Sequence, residues 1–335
     1  MKKTFVLLLI VSALGMMSCD RNPKPLVNEN PSVAASLKGC DMAVFEDGKV
    51  TFYNSATNAF VPFTAEKDYV VTGIFRNENE FYYTVSVDDE LYLRKVDISA
   101  ETPASVELVD WGLKLSDCYD ESCEKCASMD YYDGDPDVRM VGIEYNMGEM
   151  CKGFQDNKYY LIEEKTISDG WPESVSDAYY IQQAVVDNQH FVAVPKEEGS
   201  DKMYYYYVPN SVAMYSSEEE IIEDGVCLSD KINFHEGKYS GYDAEPDFTN
   251  LGFSPKSDCV AYAAIMEWGR GGRGPLCCAT LDGKVQKLLA YDACYGWLDN
   301  NKLAFTDDEG IKTIDSEGTI TKLTSGNRFV TVRSN

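Results

Sequence analysis

Short runs of strand-forming residues, separated by turn residues, continue from Met42 to the end of this 335-residue chain and limit the folds open to it. Tyr, Val, Phe and Ile dominate the runs, and hairpin dipeptides such as Asp47-Gly48 separate several of them. One short helix is predicted at residues 217–222, where Ser217 and Glu220 have the spacing of a capping box. Because long helical periodicity is nearly absent, we predict an all-β protein. The predicted strands include residues 49–54, 80–87, 90–97, 158–163, 190–195, 202–209, 259–265, 276–281, 302–306 and 311–315.

The predicted strands recur in groups of four. The clearest group begins at Leu251 and continues through residues 259–265, 276–281 and 284–289. A shorter copy of this four-strand unit occupies residues 295–323, and a similar spacing of predicted strands occurs over residues 69–109. Four-stranded units that repeat every ~40–50 residues are typical of β-propeller blades. Roughly 290 folded residues divided by that period predict about six blades, with seven as the alternative count.

One pair of motifs carries a family resemblance. Phe253-Ser254-Pro255, followed by Leu281-Asp282-Gly283-Lys284, resembles the repeat of TolB-type propellers, which is similar to that of prolyl-oligopeptidase-type peptidases. The resemblance covers about residues 247–324 and implies architecture only. We expect residues 328–333 to pair with the unit that begins at residues 42–63, so that N- and C-terminal strands close the ring and remove exposed edges. Two β-sandwich domains divided near residues 216–247 are the alternative architecture.

The N-terminus is predicted to be a targeting segment. Lys2 and Lys3 precede an apolar run at residues 5–14 that is too short to span a bilayer as a helix. The run leads to Ser18-Cys19, which resembles the lipobox of bacterial lipoproteins and implies removal of residues 1–18 and lipidation of Cys19, with palmitate among the acyl groups. A signal peptide in which Cys19 is incidental is the alternative. Residues 19–38 are expected to form a lipidated tether, and residues 39–335 a single propeller domain.

These features predict a protein of the bacterial cell envelope that is anchored to a membrane and faces the periplasm or the exterior. Two or more acyl chains would make the anchor stable. The chain has 30 basic and 56 acidic side chains, which gives a net charge of −26. That charge excludes nucleic-acid partners, because phosphate binding requires a basic surface.

Ten cysteines follow Cys19, and an even number in an exported chain predicts disulfides. We expect at least one disulfide among Cys118, Cys123, Cys126 and Cys151. Two alternatives stay open: a metal site at these four residues, because the Cys123–Cys126 spacing suits metal ligands, or largely free thiols. Two further cysteines, at positions 259 and 277, fall on adjacent predicted strands, where they could serve as small core residues.

The acidic segment at residues 117–137 is expected to be a loop. Its residues Asp133, Asp135 and Asp137 place carboxylates at i, i+2 and i+4, as in oxygen-rich calcium loops. A structural calcium ion is therefore one interpretation, and a solvated acidic loop held by disulfides is the other. No other cofactor is required.

A glycine-rich segment at residues 267–275 is the predicted ligand-binding loop. It joins the second and third strands of its predicted blade, and such loops share a face with the blade-to-blade connections, where propellers usually bind ligands. Trp268 could stack on a sugar or a side chain, and Arg270 and Arg273 could bind carboxylates. A hairpin tip with no partner is the alternative.

Catalysis has little support in the sequence. The chain lacks a Gly-x-Ser-x-Gly motif and has two histidines, so no catalytic residue is predicted. The tyrosine run at residues 204–207 is expected to pack in the core rather than to form a sugar platform. We predict a binding module for a peptide, protein or glycan. The alternative is an extracytoplasmic propeller glycosidase or polysaccharide lyase, which would need opposed carboxylates, about 5–9 Å apart in a glycosidase.

Overall fold

Antiparallel sheets follow one another along the chain. The computed structural model describes residues 25–26, 37–63, 69–76, 78–101, 103–118, 127–135, 138–146, 155–172, 189–195, 202–235, 237–240, 245–266, 274–291 and 293–333. These residues form six sheets, of which five have four or five strands and one has three. The protein is therefore all-β, as predicted.

The sheets are numbered here along the chain from Met42, and their strands have the following bounds. Sheet 1 contains β2 (Met42–Glu46), β3 (Lys49–Asn54), β4 (Ala59–Pro62) and the C-terminal β24 (Arg328–Thr331). Sheet 2 contains β5 (Tyr69–Arg76), β6 (Glu80–Val87), β7 (Glu90–Asp97), β8 (Ser105–Lys114) and β1 (Pro25–Leu26). Sheet 3 contains β9 (Ala127–Asp135), β10 (Val138–Asn146), β11 (Gln155–Leu161) and β12 (Thr166–Asp169).

The second half of the chain is built in the same way. Sheet 4 contains β13 (Phe191–Pro195), β14 (Met203–Tyr207) and β15 (Val226–Cys227). Sheet 5 contains β16 (Asp247–Phe253), β17 (Cys259–Ile265), β18 (Pro275–Thr280) and β19 (Gln286–Tyr291). Sheet 6 contains β20 (Tyr295–Trp297), β21 (Leu303–Asp307), β22 (Gly310–Ile314) and β23 (Ile320–Thr324).

Short helices interrupt the strands. They are α1 (Leu115–Cys118), α2 (Glu218–Asp224) and 3-10 turns at Val212–Met214 and Gly237–Tyr239. The predicted helix is confirmed as α2, because the Ser217 side chain accepts a hydrogen bond from Glu220 N at the helix N-terminus. Within the described part of the chain, no helix is both long enough and apolar enough to cross a bilayer.

The two ends of the chain meet in sheet 1. Strand β24 pairs antiparallel with β2, with Thr331 opposite Met42, and Val332 N donates to Asp41 O at 2.9 Å. The expected tether also touches the fold, because Pro25–Leu26 pairs with residues 105–106 at the outer edge of sheet 2. Cys19 lies outside the described residues.

Apolar clusters join neighbouring sheets. One cluster joins sheets 1 and 2, and others join sheets 2 and 3, 4 and 5, 5 and 6, and 6 and 1. This is possible because successive side chains of a strand point to opposite faces. Cys277 and Cys278 illustrate it: the first packs towards sheet 4 and the second towards sheet 6. The arrangement of sheets is propeller-like.

The tyrosine run follows the same rule. Tyr205 packs against sheet 5, and Tyr206 packs on the other face with Ile221 of helix α2. Its predicted role in the core is confirmed. The cluster between sheets 4 and 5 contains both Tyr205 and Tyr262, which lie on opposite sides of residues 216–247 in the sequence. The two halves that separate sandwich domains would form therefore share one core.

One prediction is corrected here, and a second is tested for part of the chain. Residues 127–135 form strand β9 rather than a loop, because Met129 is buried among the apolar residues of sheets 2 and 3 and the segment pairs with β10. Disulfides are absent among the six cysteines whose side chains the structure describes. Most of these thiols are small core residues of the apolar clusters: Cys227 is half-buried, and Cys259, Cys277 and Cys278 are buried. The side chains of Cys118, Cys123, Cys126 and Cys151 are not among those described, so the disulfide expected among them stays a prediction.

Candidate functional site

The turns between second and third strands lie at one end of the sheets, which we call the top face. In sheet 1 this turn is Asp47-Gly48, between β2 and β3. The strands β20, β24, β5 and β9 each stand at one end of the strand order in sheets 6, 1, 2 and 3. Strand β20 contacts β24, β24 contacts β5, and β5 contacts β9, so these four strands lie side by side. The predicted ligand loop links β17 to β18 and therefore leaves and re-enters sheet 5 at the corresponding end. Its residues Trp268, Arg270 and Arg273 lie outside the described part of the chain.

A pocket of about 300 Å³ opens on the top face where three segments meet. The segments are the end of β2 with the following turn at residues 45–48, the start of β5 at residues 69–71, and residues 325–328, which end on the first residue of β24. Two backbone-directed hydrogen bonds hold these segments together. Val70 N donates to Gly48 O at 2.7 Å, and Arg328 Nη1 donates to Val71 O at 2.8 Å. We call this site the top pocket.

An exposed aromatic ring forms one side of the top pocket. Tyr69 is 45% exposed, and its ring lies directly against Gly48. A Cβ atom at Gly48 would lie 2.2 Å from Cδ2 of that ring, and the glycine has a φ of +70°. Both the turn and the close approach of the ring therefore require glycine at this position.

A half-buried cation forms another side. The Arg328 guanidinium lies 5.4 Å from the centre of the Phe45 ring, and Phe45 belongs to the cluster between sheets 1 and 2. Burial lowers the pKa of Arg328, and the charges that Cys294 and Tyr69 can carry partly offset this. The guanidinium remains positive, because arginine retains its proton in proteins.

Two carboxylates complete the lining. Glu46 ends β2, Asp47 begins the β2–β3 turn, and both are exposed. The top pocket therefore offers hydrogen-bond acceptors, a cation and an open aromatic face within one small volume. This combination suits the binding of a polar molecule that has an apolar face.

Two of the three predicted calcium ligands have their backbone at the opposite end of sheet 3. The backbone of Asp133 and Asp135 belongs to the last residues of β9, where Val138 pairs with Asp135, and Asp137 lies outside the described residues. Among the described side chains there is no group of three or more His, Cys, Asp or Glu residues that could hold a metal ion. The carboxylates of Asp133 and Asp135 are not among those side chains, so the calcium site stays a prediction.

No family model matches the chain, and no curated protein matches it. Similar solved structures include TolB from Acinetobacter baumannii, at 13% identity and a TM-score of 0.27. They also include the tricorn protease, at 12% and 0.30, and a protein from Lactobacillus plantarum, at 12% and 0.25. The matches cover 73%, 85% and 84% of this chain and 49%, 30% and 81% of the other chains. The chain thus spans about half of TolB and less than a third of the tricorn protease. At these values nothing about function follows from the likeness.

Sequence reasoning missed Tyr69 and Arg328 as site residues. The Asp47-Gly48 turn and the lone C-terminal strand were both visible in the sequence. Nothing local indicated that they would meet, since Arg328 and Val71 are 257 positions apart.

Proposed function

We propose that this chain is a six-bladed β-propeller, closed by pairing of β24 with β2, that binds a ligand on its top face and performs no chemistry. The observation that carries the binding role is the top pocket, which lies where loops between strands and between sheets gather. The six sheets and the pairing of β24 with β2 support the blade number and the closure. A peptide, a protein or a glycan is the expected ligand class.

The binding role is tested by screening the full chain against peptide and glycan arrays, followed by the Tyr69→Ala variant. We expect a specific ligand whose binding weakens when the exposed ring is removed. A ligand that binds wild type and Tyr69→Ala equally well would place the binding surface elsewhere. Ring closure has its own test: a closed propeller should unfold in one cooperative transition, whereas two transitions would contradict it.

We also propose that Trp268, Arg270 and Arg273 belong to the same top-face binding surface. The position of their loop between β17 and β18 supports this. Replacing both arginines by glutamine should weaken binding of an acidic ligand and leave the folded state unchanged in circular dichroism. Unchanged affinity would remove these residues from the site.

A propeller glycosidase or lyase is the alternative function. Within the described lining of the top pocket, the two carboxylates, Glu46 and Asp47, are adjacent in the chain rather than opposed across the pocket. Release of new reducing ends from a polysaccharide by the purified chain, lost on Glu46→Gln, would establish the enzymatic alternative.

The lipid anchor and the cell-envelope location are proposals that rest on the sequence around Cys19. Cys19→Ser should abolish labelling by a palmitate analogue and release the protein from membranes. Unchanged membrane partition in that variant would refute the anchor.

The remaining proposals concern residues 118–151. Intact-mass measurement after alkylation without reduction should show at least one disulfide among Cys118, Cys123, Cys126 and Cys151; ten alkylated cysteines would refute it, and stoichiometric zinc would favour the metal alternative. For calcium, the ion should raise the melting temperature of wild type and not that of Asp133→Asn. An equal response in both proteins would exclude the site.

A further inference from the structure

The composition of the top pocket restricts the kind of ligand it can hold. Glu46, Asp47 and Arg328 line the same cavity. An anionic ligand would approach two negative groups, and a cationic ligand would approach a guanidinium held in a partly buried position. A neutral ligand meets neither penalty.

The neutral ligand meets hydrogen-bond acceptors and hydrogen-bond donors in the same pocket. Carboxylates accept hydrogen bonds and a guanidinium only donates them. A ligand that carries many hydroxyl groups can do both, since each hydroxyl is a donor and an acceptor. An apolar ligand would cover the exposed carboxylates of Glu46 and Asp47 without offering them a hydrogen-bond donor, which is unfavourable.

The Tyr69 ring adds a flat apolar surface. One part of the ring rests on Gly48, and 45% of the residue stays exposed. The backbone that carries the ring is held in place, because Val70 N is hydrogen-bonded to Gly48 O at 2.7 Å. A ligand that stacks here therefore loses little affinity to the ordering of the protein.

The size and outline of the pocket favour a compact ligand group. About 300 Å³ is at the small end of the range for small-molecule sites. An extended peptide is usually recognised through a free strand edge or a long groove, whereas residues 45–48, the start of β5 and residues 325–328 bound this pocket on three sides.

We infer that the top pocket binds a neutral sugar unit of a glycan, with the apolar face of the sugar ring on Tyr69 and its hydroxyl groups on Glu46, Asp47 and Arg328. This inference rests on the proposed binding function and narrows the ligand to one class. It requires no chemistry of the bound sugar.

The test is a titration of the full chain with neutral oligosaccharides, namely gluco-, manno-, galacto- and xylo-oligosaccharides, followed by calorimetry. At least one series should bind, and Tyr69→Ala should weaken it about tenfold or more, because stacking on the ring is lost. Tyr69→Phe keeps the ring and should bind within a few-fold of wild type. Gly48→Ala displaces the ring and should resemble Tyr69→Ala.

Phe60 provides the matched control. It is another exposed aromatic residue of the same chain, 39% exposed on the outer strand β4, and it does not line the top pocket. Phe60→Ala should leave the affinity for the oligosaccharide unchanged. Weakening by Phe60→Ala equal to that by Tyr69→Ala would overturn the assignment of the sugar to this pocket.

Two other outcomes separate this inference from the proposed function. If an acidic oligosaccharide, a chitosan oligomer or a peptide binds more tightly than every neutral sugar and depends on Tyr69, the sugar assignment is wrong and the binding site stands. If no oligosaccharide binds up to millimolar concentration, the sugar assignment is wrong, and an array ligand that is indifferent to Tyr69 would refute the site as well.

Discussion

The turn between β20 and β21 of sheet 6 is hydrogen-bonded to two aspartates, one from each neighbouring sheet, and the two aspartates differ in their exposure to solvent. Asp41, which precedes β2 of sheet 1, accepts a hydrogen bond from Asp299 N at 2.7 Å. Asp258 of sheet 5 accepts one from Asn301 Nδ2 at 2.9 Å. Each carboxyl also accepts a hydrogen bond from a serine hydroxyl of its own sheet. We call these two contacts the Asp41 junction and the Asp258 junction. In both, the carboxyl accepts one hydrogen bond from the turn of sheet 6 and one from a serine hydroxyl.

Solvent access separates the two junctions. Asp41 is 1% exposed, whereas Asp258 is exposed. Burial raises the pKa of Asp41, and hydrogen bonds from Ser55 and Asp299 only partly offset this. At Asp258 the hydrogen bonds from Asn301 and Ser254 prevail and lower the pKa. Similar hydrogen bonds therefore accompany a raised pKa at Asp41 and a lowered pKa at Asp258. The buried carboxyl of Asp41, whose ionisation is unfavourable, lies where the two ends of the chain meet.

The largest expected effect is that of Asp41→Ala. The substitution leaves the buried Ser55 N and the partly buried Asp299 N without their acceptor, and an unsatisfied buried donor costs about 1–3 kcal/mol. We expect the free energy of unfolding to fall by about 3 kcal/mol, measured by urea denaturation. The matched change Asp258→Ala should cost about 1 kcal/mol, because water can replace the carboxylate there. Equal losses in the two variants would contradict the difference between the junctions.

A second prediction concerns Asn301, which has a φ of +69° and binds Asp258 and Lys256 N through its side chain. Asn301→Ala should lose about 2 kcal/mol, since alanine loses both hydrogen bonds and tolerates this backbone poorly. Asn301→Gly keeps the backbone conformation and should lose about 1 kcal/mol less. Identical melting curves for the two variants would show that the backbone at Asn301 is not under this constraint.

The third prediction is a pH dependence of opposite sign at the two junctions. The pKa of Asp41 is raised on folding, so its ionisation opposes folding. Its contribution is fully present below the unfolded pKa and is lost as the pH rises through the folded pKa. The pKa of Asp258 is lowered, so its contribution is present above the unfolded pKa and is lost as the pH falls through the folded pKa.

Denaturation between about pH 3 and pH 7 tests this prediction. As the pH falls, the stability of wild type relative to Asp41→Asn should rise, and its stability relative to Asp258→Asn should fall. The same slope for both comparisons would show that burial does not distinguish the two carboxyls.

The smallest expected effect concerns the thiol next to the second junction. Cys259 follows Asp258, is 2% exposed, and has a pKa that burial, followed by the charge of Asp258, raises to about 12. We expect its alkylation in the folded protein to be at least about tenfold slower than that of the half-buried Cys227, followed by mass spectrometry. Comparable rates would indicate that sheet 5 opens locally at this edge.

Local signals in the sequence accounted for the strands and helix α2. The predicted strands at residues 49–54, 80–87 and 90–97 have the bounds of β3, β6 and β7, because alternation and the flanking turn residues act within a few positions. Strand β9 was missed because its many acidic residues indicated a loop. Pairing with β10 and burial of Met129 outweighed that local preference.

The sequence by itself determined which segments become strands, where hairpins turn and how helix α2 begins, since these depend on interactions between residues close in the chain. Only the tertiary structure decided the top pocket and the two aspartate junctions. Asp41 meets Asp299 across 258 positions, and Arg328 meets Val71 across 257. Such contacts, and the burial that raises the pKa of Asp41, exist only after the sheets have packed against one another, so no local pattern of residues encodes them.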